Sequence, residues 1–162
     1  MDPGKHIAWF VVITRWGQWK KIAERLGERH VGFYIPPAYR TMLFLHADKA
    51  LALNLVNAGE VKGRFLIDHE THTLLEVPDK QMEDFIRVME NPGAECMADV
   101  PIAKGDRVQV VRGPLKGVEG EVVEAPNGAH LVVRIKTLLC AKISVRRGDV
   151  APVSDNRRKP AR

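Results

Sequence analysis

From Asp106 onward the sequence has no stretch with the spacing of a long helix, and nothing else in its 162 residues limits the fold as much. Short β-branched runs recur instead: Asp106 to Arg112, Gly120 to Glu124, Leu131 to Ile135, Cys140 to Val145 and Asp149 to Val153. Turn formers separate them, Gly113 with Pro114, Asn127 with Gly128, and Arg147 with Gly148. Strands this short and this evenly spaced predict a small closed five-stranded barrel, because an open sheet of that size leaves much edge around little core. The alternation of Val108 with Val110, and of Leu131 with Val133 and Ile135, favours strands over helices through this half.

The first half follows a different pattern. Ala8 to Thr14 is apolar, aromatic and β-branched, which suits a central strand buried on both faces. Trp19, Ile22, Ala23 and Leu26 then recur at helical spacing, with Lys20, Lys21, Glu24, Arg25 and Glu28 on the other face. Val31 to Ile35 reads as a second strand stopped by Pro36 and Pro37, and Thr41 to His46 as a third. Asp48 is placed to cap a helix that Gly59 closes. Val61 to Asp68 and Thr73 to Val77 look like a hairpin, and Met82, Phe85, Ile86 and Met89 mark a last helix over 79–90. The expected organisation is therefore one domain over 1–91, a linker over 92–104 with neither period, a second domain over 105–154, and a basic disordered tail over 155–162.

Composition excludes more than it selects. The longest apolar run, Ala8 to Ile13, is far shorter than the roughly 20 residues needed to cross a bilayer, and no signal-type segment opens the chain, so a cytoplasmic location is expected. Cys96 and Cys140 are too few for a disulfide framework and are not spaced as a metal or redox pair. The net charge of +5 comes mostly from the tail. Residues 1–91 are balanced, which argues against a dedicated nucleic-acid groove in that half. His69, Glu70 and His72 lack the further ligands that zinc needs. No nucleophile stands with a matching base, and no glycine-rich phosphate loop follows a strand, so the chain is expected to be neither enzyme nor metalloprotein and to use no cofactor.

The stretch Gly105, Asp106, Arg107, Val108 through Val111, Arg112, Gly113, Pro114, Leu115, Lys116, Gly117, Val118, Glu119 and Gly120 resembles the KOW motif. Its glycines have a physical reason, since Gly117 and Gly120 bracket a tight turn where a Cβ would clash or forbid positive φ. Trp9, Phe10, Val11, Val12 and Thr14, then Lys20 and Lys21, then Tyr34, Ile35 and Pro36, resemble the opening of the NusG N-terminal domain. Val77 to Glu83 is similar to the last helix of that domain in the UpxY group, the specialised paralogues that serve polysaccharide operons.

The resemblance implies an α+β fold: an N-terminal antiparallel sheet with about three helices, followed by a five-stranded SH3-like KOW barrel. It also implies a monomeric bacterial elongation or antitermination factor, bound to the clamp region of RNA polymerase. Polymerase would dock on Tyr39, Leu43, Phe44 and Phe65, each of which by residue type is equally a core residue. Lys20, Lys21 and Arg25 would approach upstream or non-template DNA, unless they form only a solvated helix face. Arg112, Leu115, Lys116 and Gly117 would meet RNA, ribosome or a regulator, with Leu115 an exposed anchor at the turn. The rival reading is a KOW-containing RNA-binding or ribosome-associated protein that does not act on polymerase.

Overall fold

The computed structural model describes residues 6–98 and 105–153. The expected tail and the last part of the expected linker lie outside them. Among the described residues the chain is α+β, with three α-helices and two antiparallel sheets, and it divides into two compact units between Met82 and Glu83.

The first unit opens with β1 (Ile7–Thr14), whose Val11 and Val12 are both fully buried, as a strand with two covered faces requires. Strand β1 runs beside β3 (Met42–Asp48), and β2 (Gly32–Tyr34) lies on the outer edge of β3. On its other edge β1 pairs with β4 (Gly63–Phe65) and then β5 (Glu76–Val77). Helices α1 (Trp19–Glu28) and α2 (Lys49–Asn57) contribute Ile22, Leu26, Ala52 and Leu55 to the core formed with Phe10, Val12, Leu43 and Leu45. Asp48 caps α2, its carboxylate accepting from the Leu51 N–H at 2.9 Å. Gly59, at φ 82°, ends it in the left-handed region. The expected hairpin is present, with Ile67 bridged to Leu74 and Asp68 N–H donating to the Thr73 carbonyl. Its tip is an Asx turn in which the Asp68 carboxylate accepts from Glu70 and Thr71, and His69 and His72 point to solvent.

Helix α3 (Asp79–Met89) crosses the division between the units. After it come β6 (Glu95–Met97), β7 (Asp106–Val110), β8 (Glu119–Ala125), β9 (Gly128–Ile135), β10 (Leu139–Ser144) and β11 (Val150–Pro152). They form one antiparallel sheet in the order β11-β7-β8-β9-β10-β6. Two expectations change here. The sheet has six strands, because Glu95–Met97, inside the expected linker, pairs with Cys140–Lys142. It is also not a closed barrel: among the described residues no ladder joins the end strands β11 and β6.

Inside this unit Glu121 and Arg134 make a largely buried ion pair at 2.7 Å, and Glu121 also accepts from the Gly105 N–H. Burial alone would raise the Glu121 carboxyl. The hydrogen bonds from Arg134 and Gly105, with the charges of Arg134 and Arg107, outweigh it and hold the group below the ordinary carboxylate value. Burial, with a smaller push from Cys140, raises the Cys96 thiol to about 11, and burial raises Cys140 as well.

Candidate functional site

The four residues expected to grip polymerase do not converge. Strand register sets Leu43 opposite Val12 and Phe65 opposite Val12 on its other side, so these side chains share the helix-covered face. Phe65 meets Phe10 edge-on at 6.4 Å. Phe44 pairs with Val11 and Tyr34, which the two-residue alternation puts on the opposite face. Leu43 and Phe44 are 1% and 0% exposed, so both are enclosed and neither offers a docking surface. Tyr39 and Phe65 are partly buried, and Phe65 packs against the core.

The basic residues of α1 divide differently. Lys20 and Lys21 are exposed at its first turn, and the Lys20 ammonium lies 5.6 Å from the Trp19 ring centre. Arg25 donates to the Glu60 carbonyl at 3.0 Å, and Arg29 pairs with the Glu60 carboxylate, which ties this end of the helix to the chain that follows α2. Sequence reasoning missed Arg40, whose guanidinium stacks over Trp19 at 4.0 Å. Arg40 and Trp19 are too far apart in sequence for any spacing rule to link them. It also gave no role to Trp16, an 86% exposed aromatic at the corner between β1 and α1.

In the second unit the motif turn is largely architecture. Gly117 has φ 96° and Gly113 φ 87°, both in the left-handed region. A Cβ on Gly120 would lie 2.5 Å from the Val132 carbonyl oxygen, and one on Gly105 would lie 1.8 Å from that of Val122. Leu115 is only 7% exposed, which overturns its expected place as an exposed anchor. The turn curls back, Gly117 N–H bonding the Val110 carbonyl and Val118 N–H that of Leu115, so the side chain enters the wall of a cavity of about 390 Å³ with Val110, Pro114, Ile143 and Val145. Arg112 lines the same cavity and donates to the Gly148 carbonyl at 2.8 Å, while Lys116 is exposed. The second half of α3 is bonded to the turn as well. The Asp84 carboxylate accepts from Glu119 N–H at 3.1 Å, and Arg87 donates to the Pro114 carbonyl at 3.0 Å.

Among the described residues no group of three or more His, Cys, Asp or Glu is placed to hold a metal ion, and no helix is long and apolar enough to cross a membrane. No protein-family model and no curated protein matches the sequence. Seven chains of solved structures match it, two of which are described here. One, described as "Domain interaction in Thermotoga maritima NusG", is 18% identical and covers 92% of this chain and 98% of its own, with a TM-score of 0.49. The other, the MjSpt4:Spt5 complex in conformation A, is 18% identical and covers 91% of this chain and 99% of its own, with a TM-score of 0.34. Likenesses of this degree carry no conclusion about what the chain binds or does.

Proposed function

We propose that the chain is a NusG-type transcription elongation or antitermination factor, close to the UpxY group, that binds the clamp region of RNA polymerase through its first unit. The observation that carries the reading is the backbone of the motif turn. Gly117 sits at positive φ and Gly120 sits where the Val132 carbonyl leaves no room for a Cβ, so the glycines that make the stretch resemble a KOW motif are the ones this turn requires. The residues that resemble the NusG opening are likewise structural neighbours: Trp9 to Thr14 form the central strand, and Tyr34, at the end of β2, is joined to it through Phe44.

In this reading the first unit meets polymerase with Tyr39 and Phe65, the members of the expected group that are not fully buried. The second unit is a KOW module that meets RNA, ribosome or a regulator beside Arg112 and Lys116. Mechanistically no chemistry is needed, because a protein that binds the elongating polymerase better than the paused one favours elongation by that difference in affinity. Service to polysaccharide-synthesis operons belongs to the same proposal. The test is co-purification with RNA polymerase together with single-round transcription. Retention on polymerase and shorter pauses support the reading, and a chain that neither binds polymerase nor alters pausing removes it.

A further inference from the structure

The motif turn and the corner after β10 border the cavity of about 390 Å³, which falls within the roughly 300–1,000 Å³ usual for ligand pockets. All of its lining residues belong to the second unit. Val110 and Leu115, 3% and 7% exposed, are its buried members, and Pro92, Pro114, Ile143 and Val145 its more open ones. No aromatic side chain lines it.

Hydrogen bonds tie together the segments around this space. Val111 N–H donates to the Asp149 carbonyl at 2.7 Å and Asp149 N–H to that of Arg146 at 2.9 Å, which joins the end of β7 to the corner after β10. Arg112 adds its bond to the Gly148 carbonyl. Arg87 holds the Pro114 carbonyl, and the Asn91 side-chain amide donates to the Arg87 carbonyl at 2.7 Å, so the end of α3 is joined to the turn. A pocket whose walls are already connected needs little ordering when a ligand enters.

The lining carries two cations, Arg112 and Arg146, and one acid, Asp149. Arg112 spends only part of its donor fork on Gly148. Among the described residues the Arg146 side chain makes no hydrogen bond or ion pair. Its neighbour Arg147 is occupied elsewhere, paired with Glu124.

We propose that this cavity binds a small aliphatic monocarboxylate, its hydrocarbon body against Val110, Leu115, Ile143 and Val145 and its carboxylate on the guanidinium groups of Arg112 and Arg146. Apolar lining favours a body that leaves water, and a planar carboxylate matches the guanidinium fork. A neutral hydrocarbon would leave Arg146 unpaired. A nucleobase would find no ring to stack on, and a polyphosphate would crowd its extra charge against Asp149. The site adds a ligand to the module that the proposed function gives to a larger partner, and it does not rest on that assignment.

The test titrates octanoate, octanol and octylammonium into the full chain, with affinity from calorimetry and location from methyl NMR signals of Val, Leu and Ile. Octanoate is expected to move the signals of Val110, Leu115, Ile143 and Val145 and to bind more tightly than octanol or octylammonium. Hexanoate is expected to bind roughly tenfold more weakly than octanoate, the loss of two buried methylenes. Arg146→Gln is expected to weaken octanoate about tenfold and to leave octanol unchanged. Arg146 is exposed, so the variant keeps its fold, which an unchanged melting temperature checks. The proposal is overturned if octanoate moves none of these signals or moves signals throughout both units, or if octanol binds as tightly. It is equally overturned if Arg146→Gln binds octanoate as well as the parent chain, or if oligo-rU moves the same methyl signals. Polymerase co-purification is read separately, so failure here is distinct from failure of the elongation-factor reading.

Discussion

The first unit keeps its polar residues outside, and the second builds with them. Of the buried polar or charged side chains among the described residues, only Thr14 belongs to the first unit, while Asp84, Glu121 and His130 belong to the second. The first unit has two helices to lay on its sheet, and their apolar stripes supply the core without help. The second has strands, one short 3₁₀ turn and part of α3, so backbone closeness at Gly105 and Gly120 and a buried ion pair take over part of that work. In the second unit, therefore, most of the recognisable motif is structural, whereas in the first the residues free to bind are those the core does not need.

Substitutions can break this contrast. The largest effect is expected from Gly120→Ala, whose Cβ would press on the Val132 carbonyl oxygen and the Leu131 side chain. It should lower stability by about 3 kcal/mol, read by urea denaturation, and a neutral result would remove the claim that the motif glycines are architectural. Next is Glu121→Gln, which should cost about 2 kcal/mol at neutral pH by weakening a charge-assisted pair. Because the Glu121 pKa is lowered on folding, its contribution is complete above the ordinary carboxylate pKa and is lost as pH falls through the folded value. The variant and the parent chain should accordingly converge in acid, and a constant gap down to low pH would contradict the pairing.

Asp48→Ala, in the first unit, removes the cap of α2 and should cost about 1 kcal/mol, a typical value for a capping carboxylate. The smallest expected effect is that of Trp16→Ala, within about 0.5 kcal/mol by the same measurement, because an exposed side chain has little packing to lose. A large loss would mean that Trp16 belongs to the core after all and would sharpen the contrast in the opposite direction.

Local pattern carried the elements and failed on what the elements do to one another. The spacing of Trp19, Ile22, Ala23 and Leu26 is a helix signal, and α1 begins at Trp19. The cap at Asp48 and the left-handed Gly59 were equally legible, because each works within a few residues of itself. Strand β6 was not, since Glu95, Cys96 and Met97 are too few to show alternation and pair with a strand more than forty residues on. Phe44 and Phe65 were grouped by the resemblance, yet whether two strand residues share a face depends on a register fixed by pairing across the sheet. Leu115 was judged from its place in a turn, but the turn curls back over its own strand.

Charge misled in the same way. Residues 1–91 carry equal numbers of acids and bases, yet a cleft lined by Ile13, Thr14, Arg15, Lys62, Gly63 and Arg64 holds three cations and no acid, because a sum has no coordinates.

The short strand β6 also decides where the chain can be cut. A fragment begun at Gly105, where the recognisable motif starts, would lack both β6 and α3. The outer edge of β10 over Cys140–Lys142 would then present unpaired amides and carbonyls, the kind of border that recruits strands from other molecules. Glu119 N–H and the Pro114 carbonyl would lose Asp84 and Arg87 at the same time. Such a fragment is expected to be sticky where the whole chain is not, and a boundary ahead of Asp79 preserves both the covered border and the helix that braces the turn.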